Sequence, residues 1–133
     1  MIETKTIHGA IIGKEDDKNW VVKKKSGGHF EIFNPIIQNK NHIAHLRKLL
    51  KYPNVKIYSI IVFPVGDISR LYCNNVYTLK TAVNVIKSLL TTLYDESFVE
   101  KLNHDIEYIS WYYSIDKKTH VRNCHELGKR VNK

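Results

Sequence analysis

The sequence predicts an α/β protein in which a mixed β-sheet is flanked by helices and followed by a helical C-terminal part. Three observations carry this. Short alternating stretches separated by glycine turns fill residues 2–33. A helix-period stripe between residues 36 and 50 leads into a nearly unbroken apolar run at 55–65. Helix-period patterns then fill residues 80–113. An apolar run without alternation predicts a strand covered on both faces, as at the centre of an α/β sheet.

Residues 2–12 read as a strand, a turn and a second strand, with Gly9 and Gly13 as corners around Ala10-Ile11-Ile12. Lys14 to Asn19 is a charged loop. Its acids Glu15, Asp16 and Asp17 read as solvated rather than metal-binding. Trp20 to Lys25 is a strand ending in the basic cluster Lys23-Lys24-Lys25, and Ser26-Gly27-Gly28 turns the chain into a returning strand, His29 to Phe33. Asn34-Pro35 stops that strand and opens a helix from about Ile36 to Leu50, ended by Tyr52-Pro53-Asn54. Ile36, Ile43, Leu46 and Leu50 form its apolar stripe, and Gln38, His42 and His45 a separate polar one.

The apolar strand Val55 to Val65 follows, and strand, helix and strand together predict a βαβ unit with a right-handed crossover. Gly66-Asp67 opens a loop, with a short strand around Val76-Tyr77. A helix from Lys80 to Tyr94 would bury Ala82, Val85, Ile86, Leu89, Leu90 and Leu93. Another, from Ser97 to Tyr113, takes Ser97 as N-cap with Glu100 three residues on, and Phe98, Leu102, Ile106, Ile109 and Tyr113 as its apolar positions. Lys117 to Lys133 is polar and basic.

The chain has 133 residues and a formal net charge of +8, enough for one domain with a modest core. Residues 1–70 carry 12 Lys/Arg against 6 Asp/Glu; residues 71–133 carry 9 against 7. A polyanionic partner therefore belongs to the first half, where lysines can neutralise phosphates. Cys73 and Cys124 lack metal-ligand spacing and read as reduced thiols. The polar N-terminus shows no signal peptide and no run is long enough to span a membrane, so the expectation is a cytoplasmic protein.

Chemistry is concentrated in Glu3-Thr4-Lys5. Side chains alternate along a strand, so Glu3 and Lys5 share one side, where a carboxylate and an ammonium can serve a metal ion and a phosphate. The bland alternative is an exposed ion pair. Gln38 is either a site residue or a helix-start glutamine. His42 is either a phosphate contact near Glu3 and Lys5 or a half-buried packing histidine. Lys23, Lys24 and Lys25 are either backbone-phosphate contacts or a solvated hairpin tip. His42 with His45 lacks the further ligands a zinc site needs, and Cys124-His125 lacks a third orienting group. Tyr108, Trp111, Tyr112 and Tyr113 favour packing over base stacking.

Taken in order, Ile2-Glu3-Thr4-Lys5, Gly9-Ala10-Ile11-Ile12-Gly13, Asp17-Lys18-Asn19-Trp20, Phe33-Asn34-Pro35-Ile36-Ile37-Gln38-Asn39, His42-Ile43 with Leu46, and Ser59-Ile60-Ile61-Val62-Phe63 resemble the nuclease-related domain family, NERD. That family looks like a branch of the PD-(D/E)xK superfamily. The resemblance covers residues 2–63. It implies a restriction-endonuclease-like fold with a mixed four- or five-stranded sheet, residues 1–66 as the C-terminal portion of the domain, and 67–133 as a mostly helical extension. It also implies roles: Glu3 as acid and Mg²⁺ ligand, the Thr4 carbonyl completing the metal shell, Lys5 beside the phosphate, and Gln38 reaching the same site. The family pattern places further acids upstream of Ile2, so the expectation is a domain incomplete at its N-terminus, with the Glu3 strand exposed at a sheet edge.

The expected function is Mg²⁺-dependent DNA phosphodiester hydrolysis, lost if the upstream acids are required. The alternatives are a non-catalytic nucleic-acid-binding module and a protein-interaction fragment completed by a partner or an oligomer.

Overall fold

The computed structural model describes residues 1–52, 54–89 and 94–111. It divides into two compact units. The first contains β1 (Ile2–Thr4), β2 (Ala10–Lys14), β3 (Asn19–Lys23), β4 (His29–Phe33), nearly all of α1 (Pro35–Leu49), β5 (Ile60–Phe63), β6 (Asp67–Tyr72), β7 (Val76–Thr78) and α2 (Leu79–Leu89).

The strands divide between two sheets. One is parallel, in the order β1-β5-β7; the other is mixed, in the order β4-β3-β2-β6. β5 is buried along its whole length, as the unbroken apolar run requires. Successive side chains serve opposite faces. Ile61 and Phe63 join Ile11, Trp20, Val22 and Ile36, from β2, β3 and α1. Ile60 and Val62 join Ala82 of α2, with Val85, Ile86 and Leu89 half-buried beside them. β5 is shorter than the 55–65 expected. Strand length is set by the partner, and β1 and β7 offer three rungs each, all within residues 60–63.

Other expectations are corrected. The parallel partner of β5 is β1, not β4, so the anticipated strand-helix-strand unit joins two different sheets. The segment after Gly66 is a strand, β6, pairing parallel with β2. Gly13 is not a corner but lies within β2, where any Cβ would overlap the Trp20 ring. Trp20 is fully buried there, its Nε1–H donating to the Lys14 carbonyl at 2.8 Å.

In the second unit, Leu50 is buried, and a helix, α3, spans residues 96–111. Its N-cap is Asp95, whose Oδ1 accepts the Phe98 N–H at 2.8 Å, and not Ser97. Phe98, Leu102 and Ile109 are half-buried on α3, whereas Ile106 is exposed. Among the described residues, no helix is long and apolar enough to cross a membrane. The expectations for Pro53, Leu90, Leu93, Tyr112, Tyr113, Cys124, His125 and the stretch 117–133 lie outside the described residues.

Candidate active site

Glu3 and Lys5 face the α1 side of the parallel sheet. Partnered residues of a parallel ladder point the same way, and Glu3 pairs with Ile61, whose side chain packs with Ile36 of α1. Lys5 Nζ lies 2.8 Å from Glu3 Oε1 and donates to Gln38 Oε1 at 2.8 Å. His42, one helical turn beyond Gln38, places Nδ1 3.7 Å from Glu3 Oε2. Four residues from a strand and a helix more than thirty positions apart thus converge. Glu3 and Lys5 are mostly shielded, at 17% and 24% side-chain exposure, and His42 is half exposed.

Two buried asparagines aim this cluster. Asn34 Oδ1 accepts the Ile36 N–H at 2.9 Å, capping α1, with Pro35 in the first helical position. Its Nδ2 donates to the carbonyls of Glu15 and Asp17, at 2.9 and 2.7 Å, tying the helix start to the β2–β3 loop. Asn39 sits on the buried stripe between Ile36 and Ile43. Its Nδ2 donates to Ser59 Oγ at 2.8 Å and to the Met1 carbonyl at 3.3 Å, fixing α1 against the N-terminal ends of both β1 and β5. Asn39 was not foreseen as a site residue. The available signal was a polar side chain interrupting an apolar stripe.

The open side of β1 offers a further group. Met1 O accepts the Ile60 N–H and Lys5 N donates to the Val62 carbonyl, so residues 1, 3 and 5 turn their backbone groups toward β5. The Thr4 carbonyl therefore points to the other side, where no described strand flanks β1. One carboxylate and one such carbonyl are oxygen donors of the kind that suit a hard cation keeping several waters. Among the described residues no group of three or more His, Cys, Asp or Glu could hold a metal alone. This includes Glu15, Asp16 and Asp17. Asp17 Oδ2 instead accepts the Lys14 N–H at 2.8 Å, and Glu15 lies 3.8 Å from Lys40.

Lys23, Lys24 and Lys25 do not join this cluster. They line a separate groove of about 920 Å³ at the β2–β3–β6 side of the first unit. Cys73 is free and half-buried, and burial pushes its thiol above the usual range.

The chain's relationships fit this geometry. Residues 1–64 match the nuclease-related domain family. The match to NERD, whose general setting is the PD-(D/E)xK superfamily, is confined to this segment. The NERD match ends at the C-terminal end of β5, so it contains Glu3, Lys5, Gln38 and His42 and leaves β6, β7 and both later helices outside. None of the curated proteins and none of the solved structures compared is detectably similar.

Proposed function

We propose that the chain is a metal-assisted DNA phosphodiesterase built on its NERD segment. The observation that carries this reading is the Lys5 ammonium, fixed by two acceptors at 2.8 Å beside a shielded carboxylate. An ammonium has three N–H donors. Glu3 and Gln38 take two, and the third is left for a non-bridging phosphate oxygen. As water attacks phosphorus and the ester bond breaks, negative charge grows on those oxygens, and a donor held in place offsets it without reorganising. Glu3 and the Thr4 carbonyl would hold Mg²⁺, which when bound polarises the phosphate and lowers the pKa of a bound water. Gln38 orients Lys5, and His42, half exposed beside Glu3, is positioned to contact a phosphate.

A supercoiled-plasmid nicking assay with Mg²⁺ or Mn²⁺ tests this. We expect the wild type to nick and Lys5→Ala to lose at least about a hundredfold in rate, the scale of a positioned electrostatic donor. Equal rates would remove Lys5 from the mechanism. A second reading is a non-catalytic nucleic-acid-binding module, favoured by Glu3 being, among the described residues, the one carboxylate of the cluster. It predicts salt-sensitive DNA binding by a wild type that never nicks.

A further inference from the structure

The groove lined by Lys23, Lys24, Lys25 and Arg70 gathers four cations against one carboxylate, Asp67, with His8 at its margin. Among the described residues none of these cations has an ion-pair partner within 4.0 Å. Lys24 rests over the Phe30 ring, 5.4 Å from its centroid. Asp67 is turned to its own strand, with Oδ1 accepting the Ser69 N–H at 2.9 Å. The floor is small because Ala10 stands between its two partners, Lys23 on β3 and Asp67 on β6.

The groove's position is as informative as its charge. β1 and β5 run parallel, and the chain leaves their C-terminal ends through Ile7-His8-Gly9 and through Gly66. These exits touch: a Cβ on Gly66, at φ +96°, would sit 2.5 Å from the Ile7 carbonyl oxygen. Ligands of open α/β sheets bind beyond the carboxyl ends of the strands. His8 is three residues from Lys5, so no more than about 10 Å of chain separates the two. Measured along a duplex axis, that spans about three phosphates of one strand, at roughly 3.4 Å of rise each.

We propose that this groove is a second contact for the same nucleic-acid strand, holding backbone phosphates a few nucleotides from the one at Glu3 and Lys5. The inference rests on the nuclease reading for its ligand, but it concerns binding rather than cleavage. Lys23, Lys25 and Arg70 act as charges on a track, so the contact is independent of base sequence. It gives the shielded cluster purchase on a long substrate while leaving Glu3 and Lys5 to the reacting phosphate.

The test uses the full chain and a fluorescein-labelled duplex of about twenty base pairs, with anisotropy read across a salt series. Lys23→Gln/Lys25→Gln/Arg70→Gln should weaken binding at least tenfold and lower the slope of log K against log salt by two to three, about one per phosphate contact. Asp67→Asn keeps the Ser69 acceptor, removes the opposing charge, and should tighten binding two- to threefold. A wild type that binds while the triple variant keeps its affinity and slope overturns the proposal. So does a wild type that fails to bind, or one released equally well by polyglutamate and by unlabelled duplex. Plasmid nicking by the same preparations separates the two readings. Binding that follows the groove charges, without any nicking, upholds the groove and refutes the phosphodiesterase.

Discussion

Asn34 holds the candidate site without touching its charges. Both ends of its amide are used, one on the helix cap and the other on two loop carbonyls, and the residue is fully buried. Removing the side chain orphans all three partners, so Asn34→Ala should cost about 2–3 kcal/mol in chemical denaturation. Asn34→Asp keeps the cap but turns a buried carboxylate oxygen on the two loop carbonyls, so it should be at least as unstable as the alanine variant. Equal stability of all three would show that the loop bonds carry nothing. Asn34 was visible in the sequence as the residue that, with Pro35, stops a strand and opens a helix, within the segment that carries the resemblance. Its longer reach, to Glu15 and Asp17, was hidden because nothing local says which loop will pass a helix start. That Glu3, Lys5 and Gln38 would meet was expected on other grounds, from the resemblance that groups those residue types in that order.

At the scale of elements, β5 and α1 were readable and β6 was not. β5 shows its burial as consecutive apolar residues, and α1 its stripe at Ile36, Ile43 and Leu46. β6 half-buries Ile68 and Leu71, three positions apart, which breaks the period of two expected of a strand. The pairing explains this: the register with β2 slips between Ala10 and Ile12, so the alternation is interrupted. β2 and β3 depend on a close approach that a glycine makes possible. Gly13→Ala should destabilise by about 1–3 kcal/mol by forcing the Trp20 ring from its place. Near-ultraviolet circular dichroism would follow the indole, and an unchanged signal at unchanged stability would count against this packing.

For the molecule as a whole, the charge asymmetry read from the sequence has a structural counterpart. The first seventy residues, with 12 Lys/Arg against 6 Asp/Glu, supply every residue of the Glu3 cluster and of the groove. What composition left undecided was whether the excess would spread or gather. The β2–β3 and β2–β6 pairings decide it, bringing Lys23 and Arg70 to opposite sides of one strand although they are 47 positions apart.

The ladder that holds β1 has a consequence in time. Met1 to Lys5 gain their backbone partners from Tyr58, Ile60 and Val62, across a loop of nearly sixty residues, whereas β3 pairs with β2 and β4, its near neighbours in sequence. Closing a long loop must wait for enough contacts to offset its entropy. We expect the β3–β4 ladder to form first and the Glu3 strand to dock late, so that a refolding chain has no assembled Glu3–Lys5–Gln38 cluster until its architecture is nearly complete. Pulse-labelled hydrogen exchange during refolding should then protect the Lys5 amide, bonded to the Val62 carbonyl, after the amides of the β3–β4 ladder. Simultaneous protection would sink the idea. On the phosphodiesterase reading, the site would be silent while still being built.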